Sequence, residues 1–191
     1  MELALQQKLV ARLVTDREFR EKFFADPVRV AASEGLTVAA ESLAQIQPEQ
    51  VRQLARVQRR RRLAQAGVQL PLTRKALGAR FADLFRSYAV TPPPGKHPFE
   101  DALGFAAYLA AQAGPPALEQ AWMGSLVRYE AAQLAATWRG KKFTSRVFPH
   151  AIGQLAKLVP LGEVPPGEYR RATVAIWWRS THRARLKHWR L

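Results

Sequence analysis

The stretch PPALEQAWMGSLVRYEAAQLAATW, residues 115–138, decides the fold. Pro115 and Pro116 suit the first turn of a helix, where a missing N–H costs nothing. Leu118, Trp122, Leu126, Tyr129, Ala132 and Ala136 then recur at three- and four-residue steps, the spacing of one helix face. Glu119, Arg128 and Glu130 are its only charges. A helix this apolar has to be covered on more than one side. Arg139-Gly140 closes it with a cation and a glycine.

The segments to its N-terminal side read as the helices that cover it. Leu5, Leu9 and Leu13 form the stripe of an amphipathic helix over 2–15. Asp16 caps a short helix carrying Phe19, Phe23 and Phe24, and Asp26-Pro27 starts another that stops at Gly35. Val38 to Ile46 reads as one more. Pro48 opens a helix to residue 66 with Val51, Leu54, Ala55 and Val57 as its apolar side, and Gly67 ends it. Pro71 restarts a helix that runs through Leu77, Gly78 and Phe81 into Phe85 and Tyr88. A stiff Pro92-Pro93-Pro94 loop precedes a helix over 99–113 with a small-residue face at Ala106, Ala107 and Ala110.

Beyond Gly140 the pattern changes. Lys142 to Phe148 reads as extended, Ala151 to Val159 as a short helix, and Tyr169 to Arg179 as a strand rich in β-branched and aromatic residues. Ser180-Thr181-His182 turns the chain, and Arg183 to Leu191 returns. The predicted fold class is therefore mainly α, a helical bundle with a small C-terminal antiparallel β-sheet or hairpin. Three parts are expected: a helical unit over 1–46, a helical core over 47–140 and a basic β-rich segment over 141–191.

The chain has 191 residues, no cysteine and a formal net charge of +15. Disulfides and thiolate metal sites are therefore excluded. The first residues lack a basic segment before an apolar core, and no apolar run approaches the ~20 residues of a membrane span. A cytoplasmic protein without a membrane partner is the expectation. The charge is uneven, with twelve Lys/Arg against two Asp/Glu in residues 139–191. That asymmetry points to an acidic partner, such as nucleic acid, an acidic peptide or an acidic protein face. A plain preference for arginine as the solubilising residue is the other reading.

Two basic features stand out as candidate sites. Arg56, Arg59, Arg60 and Arg62 decorate the helix that starts at Pro48. They form either a solvated face with one arginine paired to a carboxylate or a surface that contacts phosphates. In the C-terminal hairpin, Trp177, Arg179, Arg183, Arg185, Lys187 and Trp189 lie beside a predicted strand edge, to which an extended peptide can add as a further strand. The competing reading makes the tryptophans core residues. His97, His150, His182 and His188 show no metal-ligand spacing, and Ser125 lacks the strand–turn context of a nucleophile elbow. No cofactor, no metal and no independent enzyme activity are expected.

The middle of the chain resembles a known bacterial family. The run Arg62…Leu72-Thr73-Arg74-Lys75-Ala76-Leu77-Gly78-x-x-Phe81-x-x-Leu84-Phe85-x-x-Tyr88 carries the likeness. So do the proline loop, Asp101-Ala102-Leu103-Gly104-Phe105-Ala106-x-Tyr108-Leu109 and Leu126-Val127-Arg128-Tyr129-Glu130-Ala131-Ala132. The family is labelled as DNA-binding domains, and the likeness covers about residues 50–138. Its members accompany multinuclear non-haem iron-dependent oxidative enzymes that modify ribosomally made peptides. The partner subunit of the methanobactin pathway is similar at greater distance. The run Leu13-Val14-Thr15-Asp16-x-x-Phe19-x-x-Phe23-x-x-Asp26-Pro27 departs from that pattern and resembles small helical modules of accessory subunits and peptide leaders. The resemblance implies a non-catalytic partner that docks on an iron-dependent oxidative enzyme as a heterodimer and clamps a leader peptide with its C-terminal sheet. The family label implies the alternative of nucleic-acid binding.

Overall fold

A computed structural model describes residues 2–35, 45–95, 97–112, 118, 120–138, 142–163, 171–181 and 184–191. Among these are nine α-helices: α1 (Glu2–Thr15), α2 (Arg17–Ala25), α3 (Pro27–Ser33), α4 (Pro48–Gln69), α5 (Pro71–Leu77), α6 (Arg80–Tyr88), α7 (Pro98–Ala111), α8 (Ala121–Trp138) and α9 (Ile152–Leu161). Three strands, β1 (Phe143–Phe148), β2 (Thr173–Trp178) and β3 (Lys187–Arg190), form one antiparallel sheet in the order β1-β2-β3. The mainly helical class with a small C-terminal antiparallel sheet is thus observed. No helix among the described residues is long and apolar enough to cross a membrane. The expected helix over 38–46 falls mostly outside the described residues, as do Pro115 and Pro116.

The chain divides into two compact units, 1–63 with 86–93 and 64–85 with 94–191. These bounds differ from a partition at residues 46 and 140, because the sheet belongs to the same unit as α7 and α8.

In the first unit, Leu9 and Leu13 of α1, Phe19 and Phe23 of α2, Ala31 of α3 and Val51 of α4 share one core. The caps follow the sequence. Asp16 Oδ1 accepts from the Phe19 N–H and Asp26 Oδ1 from the Arg29 N–H, both at 3.0 Å. The buried side of α4 here is Val51 and Ala55, whereas Leu54 and Val57 are more than half exposed. The expected apolar side held only two of its four residues, because the inward stripe follows the four-residue step from Val51 to Ala55.

In the second unit, Phe105 of α7 meets Phe81 and Phe85 edge to face, with centroids 5.2 and 5.0 Å away. Gly67 does not end α4, which continues to Gln69. A Cβ at Gly67 would lie 2.9 Å from Arg74 Cδ, so glycine here admits a close neighbour rather than stopping the helix. α4 gives way to α5 at Leu70, and the single helix expected from Pro71 to Tyr88 is broken at Gly78, whose φ of 55° separates α5 from α6.

The N-terminus of α5 has Leu70 at its cap position, which offers no side-chain acceptor. Glu130 of α8 supplies one from far along the chain. Its two carboxylate oxygens accept from the N–H of Leu72 at 2.8 Å and of Thr73 at 2.7 Å. Burial pushes this carboxyl above its usual range, while the hydrogen bonds from Thr73 and Leu72 hold it down. Glu130→Gln keeps one acceptor and turns an NH₂ group on a backbone donor. It should cost roughly 1–3 kcal/mol in urea unfolding; an unchanged midpoint would show that the cap is dispensable.

Candidate functional site

β1, β2 and β3 put alternate residues on opposite faces of the sheet. Phe148, Ala175 and Trp177 turn inward and are buried. Tyr129 of α8 meets Phe148 edge to face and lies 5.8 Å from the Trp177 ring. His188 stacks on Trp177 at 5.1 Å with an interplanar angle of 7°. Trp177, expected beside a bound peptide, is therefore a core residue with no exposed surface. Arg179 is also buried, and its Nη2 donates to the Ala136 carbonyl at 2.6 Å and the Thr137 carbonyl at 3.3 Å. It ties the end of β2 to the last turn of α8, where a cation is favoured. Arg183 lies outside the described residues.

The other predicted residues are solvent-facing. Arg185 and Lys187 are exposed. Lys187 Nζ sits 5.1 Å from the Trp178 ring centre, and Trp189 stacks on Trp178 at 6.5 Å. With Phe143, Val147 and Leu191, each more than half exposed, these two tryptophans give the outer sheet face an apolar surface. The structure thus gathers Lys187, Trp178 and Trp189 on a face of the sheet.

The two edges differ in what they offer. In an antiparallel ladder, residues bonded to the neighbour alternate with residues whose N–H and C=O point away. Val174 and Leu191 exchange both bonds, at 3.0 and 2.9 Å, so on β3 His188 and Arg190 point outward. Arg179 N–H donates to the Lys142 carbonyl at 2.9 Å, so on β1 Phe143, Ser145 and Val147 point outward. Among the described residues β1 therefore presents the longer row of backbone groups not bonded to a neighbouring strand. Arg146 covers part of it, since its Nη1 donates to the Ser145 carbonyl at 3.3 Å.

Beside β1 lies a cleft of about 480 Å³. Leu103, Ala106 and Ala110 of α7 and Ala131 and Ala132 of α8 line it, with Val147 and Phe148 of β1. Arg128 and Arg146 also line it. Neither has an acidic partner among the described residues; Arg128 Nε donates only to the Gly124 carbonyl of its own helix. The small-residue face expected on α7 thus lines a cleft, and the predicted site residues include neither Arg128 nor Arg146. The signal was there, in small residues at helical spacing opposite an arginine-bearing strand.

Ser125 and His150 form a buried pair, with Oγ 2.8 Å from Nδ1. Ser125 has no exposed surface, so a substrate cannot reach its oxygen. On α4, Arg56, Arg60 and Arg61 are exposed, while Arg59 and Arg62 are half-buried. The Arg62 guanidinium carbon lies 5.8 Å from the Tyr88 ring centre. Among the described residues no three His, Asp or Glu side chains converge on a point where a metal ion fits.

The sheet faces differ enough to be separated by mutation. Trp177→Ala should cost roughly 3–5 kcal/mol and Trp178→Ala no more than about 1–2 kcal/mol. Equal melting points for the two variants would contradict this assignment. Burial first, and then the nearby Arg190 charge, push the His188 imidazole below its ordinary value. Above about pH 6.5 it is neutral both folded and unfolded. As pH falls below that value the unfolded chain takes up a proton first, so stability drops. His188→Phe should flatten the fall in melting temperature between about pH 6.5 and 5; an unaltered slope would assign it to other groups.

Compared with protein-family models, curated protein sequences and solved structures, the chain matches none.

Proposed function

We propose that this chain is a non-catalytic partner protein that holds an extended acidic peptide as a fourth strand on the β1 edge. The observation that carries the reading is the outward row at Phe143, Ser145 and Val147, flanked by a cleft with Arg128 and Arg146. Backbone bonds to that row supply affinity without demanding a sequence, and side chains at alternate positions enter the cleft to supply selectivity. The alanine walls admit apolar side chains of moderate size, and the two arginines favour carboxylates.

The family resemblance gives this peptide an identity, the leader of a ribosomally made precursor. It gives the protein a destination as well, a multinuclear iron-dependent oxidative enzyme in a heterodimer. The apolar outer sheet face, with Trp178 and Trp189, suits a protein surface better than open water. Nucleic-acid binding is supported by the net charge of +15 and the exposed Arg60 and Arg61.

Anisotropy with a labelled peptide of alternating valine and glutamate tests the reading. Val147 is on an edge strand with its N–H turned outward, so Val147→Pro removes a docking donor without breaking the sheet ladder. It should weaken peptide binding at least about tenfold, the loss of one or two backbone bonds, with the melting point within about 3 °C. Full binding by this variant, or binding of unrelated duplex DNA in place of the peptide at physiological salt, would overturn the proposal.

A further inference from the structure

The first unit carries a second concavity that the peptide reading does not use. Between α2 and α4 lies a cavity of about 670 Å³, within the size range of small-ligand sites. Arg17, Arg20, Arg52, Arg56 and Arg59 line it, so five arginines from two helices border one space. The carboxylates nearest to them are spoken for. Glu21 accepts from Arg17 at 2.8 Å, and Glu49 lies 3.4 Å from Arg52 and 3.6 Å from Arg56. Among the described residues neither Arg20 nor Arg59 forms an ion pair, although Glu21 and Asp16 lie close enough to Arg20 to favour its charge.

Arg20 is the fixed point of the cluster. It is buried, and its Nη1 donates to the Leu13 carbonyl at 2.8 Å, which holds the guanidinium in one place. Burial first, and then the charge of Arg59, push its pKa below the ordinary arginine value. Burial disfavours the charged form, and Arg59 and Arg17 add like charge that Glu21 and Asp16 only partly offset. A protein that keeps two such groups together loses stability to their repulsion unless something anionic fills the space.

We propose that this cavity binds a phosphate-bearing small molecule, with Arg20, Arg56 and Arg59 as the phosphate ligands. Phosphate presents several oxygens in different directions, and guanidinium forks arriving from two helices match that better than they match one flat carboxylate. An acidic peptide would prefer a linear stripe of charge to a concave cluster. Phe24 lines the cavity and is half-buried, leaving ring surface on which a base can rest.

Calorimetry and thermal melting of the full chain with inorganic phosphate, pyrophosphate, AMP and hexaglutamate, at constant ionic strength set with chloride, tests the assignment. Pyrophosphate should bind saturably at one site and raise the melting temperature. AMP binding tighter than phosphate would place a base on Phe24; AMP equal to phosphate would leave the phosphate group as the whole ligand. Either result supports the site. Arg56→Glu with Arg59→Glu should reduce pyrophosphate affinity at least tenfold. Arg59→Gln should both weaken binding and raise the melting temperature of the unliganded protein, because it removes the charge facing Arg20. Three results would overturn the proposal: no saturable binding of any phosphate compound, undiminished binding by the double variant, or hexaglutamate binding in preference to pyrophosphate.

Discussion

Two backbone N–H groups at the start of α5 have no acceptor in their own neighbourhood, and the Glu130 carboxylate takes both. Much of the second unit depends on that exchange. A buried carboxylate is costly unless its oxygens are engaged, and a buried helix start is costly unless its donors are. Each group resolves the other's deficit, which fixes the rotation of α8 and the height of α5 against it. Tyr129, next to Glu130 on α8, then meets Phe148 and Trp177 of the sheet. Arg179 returns from the end of β2 to the last carbonyls of the same helix. The sheet is thereby held to α8 both through its middle and at one end.

That attachment explains how so small a sheet persists. Three short strands give little stability by themselves. Here one face buries Phe148, Ala175 and Trp177, two of them against Tyr129 of α8, and the opposite face remains apolar in water. The cleft beside β1 follows from the same arrangement. The alanines of α7 and α8 are too small to reach across to the strand, so the space between them stays open. The proposed peptide binding would use what is left over when a helix pair built from small residues supports a strand edge.

Local chemistry made much of the fold legible. Asp16 and Asp26-Pro27 mark helix starts that the structure reproduces with capping bonds, and β-branched and aromatic runs mark the strands. The glycines were harder. Gly67 and Gly78 look alike in the sequence, yet one answers to a neighbouring side chain and the other to a backbone angle. The tandem tryptophans were ambiguous for a related reason. Alternation requires Trp177 and Trp178 to face opposite ways, but only the positions of Tyr129 and His188 decide which of them is inside. The arginines of α4 pose the same question, and only the placement of α2 shows that Arg59 borders the same cavity as Arg20. The candidate edge at β1 depended on strand order and hydrogen-bond parity, which no single segment encodes.

The guanidinium of Arg146 lying on the Ser145 carbonyl has a consequence for self-recognition. Any open strand edge is self-complementary, because two copies can pair about a two-fold axis. An antiparallel pairing of β1 with itself centred on Ser145 would bring both Arg146 side chains to one side of the new ribbon, a diagonal step apart. Two like charges would meet there, each deprived of the carbonyl it had covered. A foreign strand carrying a carboxylate at that position meets no such conflict. On the proposed strand-addition reading, a single side chain would let the edge discriminate between a second copy of the same protein and a chain of opposite charge.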